Sequence, residues 1–428
     1  MFPQLLLLFA LIYSPAYKNG DVGVQIVLPA DSVVAATSQI PPSCMISSSN
    51  PSVMWHLRLD RSPNPSNLTP KVIVHQTRSR RDDPEGTKVL VDSALKIGDI
   101  DGWWLLLEEP SGVYGWLAMP AIGNQTLVAS VLTNKEGWNL CGDRLVRSLQ
   151  SIVLLDPIAL IGEKIDGLDA STSVLAGLSK ESLQPLIGFH EWRRIQTADD
   201  SGAADIGYMQ VSISAGTMRD INDVKAEREE PPDGIIVTVR SRILPNPETG
   251  VVVDGVGHYW MSWDGKDERW SNRITRWLDR VSAVKSETGI RSRAKLGMAK
   301  PSLLVMQQDL TSNAIETPFQ VTTEEPWMPR ALSWILGPLL KDNHSSRFLW
   351  HMYDNSTKPR ITTCRDIISS NADGTKTITS DFGSNGNAVS TTVDHNGFLV
   401  RQTQQGNILI TGSTKETLQQ IWQPQNLW

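Results

Sequence analysis

The sequence predicts an α+β fold: antiparallel β-sheets, in meanders able to curve into half-barrels, each packed with short helices. Three observations carry this. Asp373-Gly374, Asn385-Gly386, Asn396-Gly397 and Gly406-Asn407 punctuate the C-terminal region at short intervals, and such dipeptides favour hairpin turns between short strands. Gly234–Leu244, GIIVTVRSRIL, sets Thr238, Arg240 and Arg242 at alternate positions, the period of a half-buried strand. Between these β-like regions and the N-terminal ones, Leu145, Leu149, Ile152 and then Leu175, Leu178, Leu186 and Ile187 follow helical spacing.

Taken from the N-terminus, Leu5–Tyr13 is an unbroken apolar run followed by Ser14 and Ala16, the pattern of a signal peptide over residues 1–16 and hence of an exported, periplasmic or extracellular protein. No Lys or Arg precedes the run, and no stretch is long enough for a transmembrane span. Residues 21–135 read as a β-rich N-terminal domain. Its expected parts are a strand over Asp21–Val34, a Ser/Pro-rich linker over Thr37–Ser52, strands over Val53–Asp60 and Lys71–Thr77, and a charged loop over Arg78–Asp83. Gly102–Met119, GWWLLLEEPSGVYGWLAM, reads as two strands around the turn Glu109-Pro110-Ser111-Gly112.

Residues 140–230 read as a mainly helical connecting segment in which Ser179 and Ser182, followed by Pro185, suggest short helices rather than one long one. A strand is expected over Ile206–Ile213. Residues 231–300 read as a central hairpin-helix module. Gly234–Leu244 and Val251–Trp263 pair as a hairpin, and Asp264-Gly265 ends the second strand. Beyond the turn, Trp270, Ile274, Trp277 and Val281 are spaced four, three and four. Arg269, Arg273, Arg276 and Arg280 keep a similar spacing, and Asp267 and Glu268 suit a first helical turn. This predicts an amphipathic helix, followed by a linker over Thr288–Ala299.

Residues 301–428 read as a strand over Pro301–Gln308, a helical segment over Glu325–Leu340, a meander and a closing helix. The meander strands are Ile361–Ile368, Thr375–Phe382, Ala388–Val393, Phe398–Thr403 and Ile408–Thr411. Ser413 with Glu416 forms a capping box, and Leu418, Ile421 and Trp422 form the apolar face of the last helix. Trp260–Asp264 (WMSWD) and Trp350–Asp354 (WHMYD) share a plan that an internal repeat would explain.

Three resemblances follow from these motifs. The Gly-Trp-Trp … Gly-Trp-Leu pattern of Gly102–Met119 resembles the distal part of bacterial SH3-like modules, which implies a cell-wall partner. The hairpins, meander and closing helix over about residues 230–425 resemble the curved half-barrels of LolA/LolB-type lipoprotein carriers. Together with Trp350–Asp354 and Leu418–Trp422, they also resemble uncharacterised secreted proteins of planctomycete-type bacteria. These resemblances transfer no functional residues.

Composition narrows the chemistry. The chain has 428 residues, 40% hydrophobic and 20% charged, with a net charge of −6. That is a globular composition, and its acidic balance argues against a nucleic-acid partner. Cys44, Cys141 and Cys364 lie too far apart in sequence for a metal motif; they allow at most one disulfide and are expected as buried thiols. There is no H-E-x-x-H, nucleophile elbow, phosphate loop or dinucleotide fingerprint. No catalytic residue, metal ligand or cofactor is therefore assigned. The expected function is non-catalytic binding of an apolar ligand, lipoprotein or cell-wall component, with Trp260, Trp263, Trp350 and Tyr353 as candidate ligand residues. A hydrolase of unrecognised geometry stays open.

Overall fold

A computed structural model describes residues 16–29, 32–39, 42–48, 50, 53–80, 84–199, 202–221, 233–245, 249–278, 281–293, 300–312, 314–355, 358–382, 388–404, 408–425 and 427–428. The apolar run Leu5–Tyr13, the turns Asn385-Gly386 and Gly406-Asn407, and Arg280 lie outside them. The chain divides into two compact units, Met1–Glu163 and a second comprising Lys164–Gly383 and Asn387–Trp428. The α+β class is as the sequence predicts: antiparallel sheets with six short α-helices among the described residues.

In the first unit the strands are β1 (Ala16–Asn19), β2 (Val24–Val27), β3 (Ser32–Gln39), β4 (Pro42–Ser48) and β5 (Trp55–Pro63). Helix α1 (Pro70–Ser79) comes next, then β6 (Lys88–Ile97), β7 (Ile100–Glu109), β8 (Gly112–Ala121) and β9 (Gln125–Thr133). Helix α2 (Lys135–Gln150) and the short β10 (Val153–Leu154) complete the set. The main sheet has seven strands in the order β3-β4-β5-β9-β8-β7-β6, and β1, β2 and β10 form a small second sheet. Asn134 caps α2, its Oδ1 accepting from the Gly137 amide at 2.6 Å. Cys141, Leu145 and Leu149, one face of α2 at four-residue spacing, pack on Trp55, Leu57, Trp104 and Leu117. The opposite face of β7 and β8 packs on α1 through Val74, Leu105, Leu107 and Trp116. The Gly102–Met119 hairpin thus lies inside the sheet, between β9 and the edge strand β6, and is buried on both faces. Gly115 is needed there: a Cβ on it would lie 2.2 Å from the Trp104 ring.

Three expectations for this unit are corrected. Lys71–Thr77 is helical, because Thr69 accepts from the Val72 amide and Pro70 opens the first turn, both helix-start devices that outweigh the β-branched composition. Thr37–Ser52 is no linker, because Pro42–Ser48 pairs with β3 on one side and β5 on the other. Asp21–Val34 contains β2 and the start of β3 rather than one strand.

Helix α3 (Pro157–Ala176) leads into the second unit, followed by α4 (Lys180–Leu183), β11 (His190–Asp199), β12 (Gly202–Thr217), β13 (Asp233–Ile243) and β14 (Val252–Ser262). Then come β15 (Glu268–Leu278), β16 (Val281–Ser292), β17 (Ser302–Asp309), β18 (Ala314–Ile315), β19 (Phe319–Thr322) and helix α5 (Arg330–Leu340). The chain ends with β20 (Arg347–Asp354), β21 (Arg360–Ser370), β22 (Lys376–Asp381), β23 (Ala388–Val393), β24 (Leu399–Gln404), β25 (Ile408–Ser413) and α6 (Lys415–Trp422). The predicted C-terminal meander is present strand for strand. The cap of α6 is Thr414, which accepts from the Thr417 amide, rather than Ser413.

These strands form one antiparallel sheet, β18-β17-β16-β15-β14-β13-β12-β11-β25-β24-β23-β22-β21-β20, with β19 also on β17. The chain itself joins the two ends of this sheet. From β19, on β17, it runs to Trp327, which pairs with His351 of β20 in a parallel bridge. His351 donates its amide to the Pro326 carbonyl and accepts from the Met328 amide, both at 2.8 Å. The sheet therefore curls on itself into a barrel-like shell. Its interior holds α5, whose Ala331, Leu332, Ile335 and Leu340 are at most 1% exposed, and the end of α3 around Ala170 and Leu178.

The predicted helix after Asp264-Gly265 is instead β15, and Thr288–Ala299 begins as the continuation of β16 rather than a linker. The hairpin β13–β14 and the turn with Gly265 at φ +66° are as expected. The step of three from Ile274 to Trp277 breaks the alternation of a strand, and the buried alternation lies earlier: Glu268 and Trp270 point inward, Arg269 and Ser271 away. Pairing with β14 and β16 along the whole segment selects the strand; tertiary pairing here overrides a local helical period. The two WxxxD-like segments also differ, since Trp260 faces away from the core that Tyr259 and Met261 enter, whereas Trp350 lies within it.

Candidate functional site

The interior of the second unit contains charge. Glu287 of β16, 6% exposed, accepts from Trp270 Nε1 at 2.9 Å, Gln307 Nε2 at 2.8 Å, Tyr353 Oη at 3.0 Å, Asn355 Nδ2 at 2.6 Å and Arg330 Nη1 at 3.3 Å. The Arg330 guanidinium lies 5.2 Å from the ring centres of Trp270 and Tyr353 and 5.8 Å from that of Tyr259, within cation–π range. Glu268 accepts from Trp327 Nε1 at 2.6 Å and from the Arg330 amide at 2.8 Å. The second contact caps α5, which has no side-chain cap of its own. A carboxylate there satisfies an orphan N–H and complements the helix dipole. Burial raises the Glu268 carboxyl above its usual range, opposed by these hydrogen bonds. With every oxygen occupied, this cluster holds α5 in place and offers no free ligand position.

Beside α5 the packing is incomplete. A hollow of about 310 Å³ lies between α5 and the strands β20 to β24, with Arg193 of β11 at its margin. Its apolar wall includes Met328, Trp334, Met352, Phe382 and Leu399; its polar groups include Asp366, Ser380, Thr391, Gln402 and Arg193. Alternation along β21 puts Cys364 and Asp366 on the inner face, both at most 2% exposed. Asp366 accepts from Trp350 Nε1 at 2.8 Å, from Ser380 Oγ at 2.6 Å and from Cys364 Sγ at 3.6 Å. None of these donors is a cation, and burial raises its carboxyl above the usual range. Arg193 is bound to Glu191 at 2.7 Å and lies 5.8 Å from the centre of the Trp334 ring.

The sign of the Asp366 shift makes a prediction. A carboxyl raised on folding binds its proton more tightly in the native state, so folding stability is greatest below the ordinary carboxylate pKa of about 3.9. It is lost as pH rises from there through the raised native value. Asp366→Asn should remove that loss, flattening the stability–pH curve of the second unit above about pH 4. Urea midpoints across pH test this; an unchanged slope would show that Asp366 is ionised in the native protein.

A second hollow, about 490 Å³, is lined by Leu175, Ala176, Lys266, Arg291, Arg293 and Trp327 among others. Its charges are already matched: Arg291 pairs with Glu325, and Arg293 lies 2.5 Å from Asp267 and 3.3 Å from Asp264.

The sequence-predicted ligand residues occupy four different settings, and none lines the first hollow. Trp260 is 1% exposed, packs with Ile221 and Ile236, and donates Nε1 to the Gly216 carbonyl at 3.2 Å. Trp263 is half-buried in the turn, with Lys180 Nζ 5.7 Å from its ring centre. Trp350 and Tyr353 are buried in the core, bound to Asp366 and Glu287. Trp350 therefore adjoins the hollow through the carboxyl it holds. The cysteines are separate buried thiols. Among the described residues no group of His, Cys, Asp and Glu has metal-binding geometry, and no helix is long and apolar enough to cross a membrane.

No family model matches the chain. No curated protein is similar to it. Among solved structures, it is similar to a β-barrel-like protein of a domain of unknown function (DUF1849) from Brucella abortus. The identity is 15% and the TM-score 0.34, over 53% of this chain and 96% of that one. It is also similar to cyanobacterial PsbP (CyanoP) from Synechocystis sp. PCC 6803, with 12% identity and a TM-score of 0.27, over 33% of this chain and 94% of that one.

Sequence reasoning missed Asp366, Ser380 and Arg193. The local sequence carries no clear signal: in the strand Ile361–Ile368 one face carries Cys364, Asp366 and Ile368 and the other Ile361, Arg365 and Ile367, so the pattern does not say which face meets the core.

Proposed function

We propose that this is an exported, non-catalytic binding protein whose second unit takes up a small, largely apolar molecule carrying one polar group. The observation that carries this reading is the hollow beside α5: its volume falls at the lower end of the range for small-molecule sites, and a few polar groups interrupt an apolar wall, as such sites do. Thr391 and Gln402 offer both donors and acceptors, while Asp366 is held in the wall by Trp350, Ser380 and Cys364. Trp350 orients Asp366 and acts through it. The resemblance of residues 230–425 to lipoprotein-carrier half-barrels is in keeping with an apolar ligand, and Leu5–Tyr13 supports export.

Native mass spectrometry of the protein recovered from the envelope fraction of its own host tests both parts. The expected spectrum shows a chain shortened near Ala16 that carries a small-molecule adduct. Val389→Trp, which fills the hollow, should lose the adduct while keeping the shortened mass. A wild-type chain with no adduct, or an adduct retained in Val389→Trp, overturns the binding site; a full-length mass overturns export alone.

A further inference from the structure

The β15–β16 hairpin carries a feature that the hollow does not use. Its inner end, Glu268, Trp270 and Glu287, is buried, but towards the tip Arg273, Ile274, Arg276, Trp277, Leu278, Val281 and Lys285 are all exposed. Neighbours along a strand point to opposite faces, so both faces of the hairpin stand clear of the core. Val281 is 72% exposed and pairs with Leu278 across the tip. The adjoining turn from β17 to β18 adds exposed Leu310 and Ile315. Arg273, Arg276 and Lys285 make no ion pair among the described residues; Arg240, Arg269, Arg365 and Arg401 of this unit make none either, but only the first three lie beside an exposed apolar tip, while Arg242, Arg291, Arg293, Arg330 and Arg360 each have a carboxylate. Among the described residues the acids nearby are Asp254, engaged by Arg242 and Trp277 Nε1, Asp309, which accepts from the Thr311 and Ser312 amides and lies opposite Lys285, and exposed Glu316.

An exposed indole and aliphatic tip with unpaired cations just behind it is the arrangement of an interfacial membrane anchor. Aliphatic side chains enter the acyl boundary, Trp sits at headgroup level, and Arg and Lys meet lipid phosphates. We infer that the tip of the β15–β16 hairpin docks the second unit onto an anionic phospholipid surface. This does not rest on the ligand site proposed above. Charge complementarity decides the occupant, because a purely apolar partner would leave Arg273 and Arg276 without counter-charge, whereas Lys285 already lies opposite Asp309 on β17.

Sedimentation of the full chain with vesicles of mixed phosphatidylglycerol and phosphatidylcholine, and with phosphatidylcholine alone, tests it. Binding is expected to the anionic vesicles at low salt and to weaken as salt rises. Arg273→Glu with Arg276→Glu should weaken it by about fivefold or more per site. Leu278→Asp with Val281→Asp should weaken it by about tenfold or more. Val89→Asp, exposed on the first unit, serves as control and should bind as wild type, and circular dichroism confirms that each variant is folded. Absent binding to anionic vesicles, or binding unchanged in both double variants, overturns the inference. So does a wild-type dimer in sedimentation velocity that Leu278→Asp with Val281→Asp dissolves, which would assign the tip to a second copy.

Discussion

Glu287→Ala should destabilise the second unit by about 3–5 kcal/mol, the usual consequence of removing one partner of a buried ion pair. The effect has two sources. Arg330 loses its carboxylate while remaining enclosed by Tyr259, Trp270 and Tyr353. Trp270, Gln307, Tyr353 and Asn355 also lose an acceptor, and an unsatisfied buried donor costs more than a hydrogen bond contributes. Glu287→Gln keeps an acceptor oxygen and the side-chain shape but not the charge, so it should fall between wild type and Glu287→Ala. Urea unfolding followed by tryptophan fluorescence gives the comparison. If Glu287→Ala costs less than about 1 kcal/mol, the burial of this cluster has been overstated.

Gly397→Ala should be the second severe change. Gly397 has φ +85° in the turn between β23 and β24, and its Cβ would meet the Gly337 carbonyl carbon of α5 at 2.4 Å. The left-handed backbone alone costs a non-glycine residue about 1–2 kcal/mol, and overpacking adds about 1–3 kcal/mol. The contact is backbone against backbone, so no side-chain rotamer relieves it. Gly337 and Gly397 both line the hollow, so pushing α5 away should change ligand retention together with stability. Gly374→Ala, also at positive φ but with nothing within 4 Å of its Cβ, separates the conformational part from the packing part. Equal midpoint shifts in the two variants would show that the α5 contact carries no energy.

The strands of the C-terminal meander were legible because two signals coincide there: alternation within each strand and a turn dipeptide at its end. Lys71–Thr77 and Glu268–Leu278 were misread in opposite directions for one reason. Over seven to eleven residues, apolar spacing does not settle the period, and the decision comes from Thr69 and Pro70 in the first case and from β14 and β16 in the second. The candidate site was less legible than the fold. Tryptophan abundance directed attention to Trp260 and Trp350, both fully enclosed. The hollow is made by α5 facing strands of the C-terminal meander, a juxtaposition no local window contains. Asp366 was not readable either, because the two faces of its strand carry equal numbers of apolar residues.

Residues 319–328, which tie β17 to β20, bear on solubility as well as shape. An open sheet of this length presents two rows of unpaired backbone donors and acceptors, a template for adding strands from other molecules. Here Trp327, Pro326 and Met328 occupy part of that template at β20, and β19 covers part of it at β17. Protection of the two borders thus depends on a few residues between β19 and α5. Until synthesis has delivered β20, the growing chain carries a wide, incompletely bordered sheet, so protection of its borders belongs to the finished second unit rather than to any one hairpin.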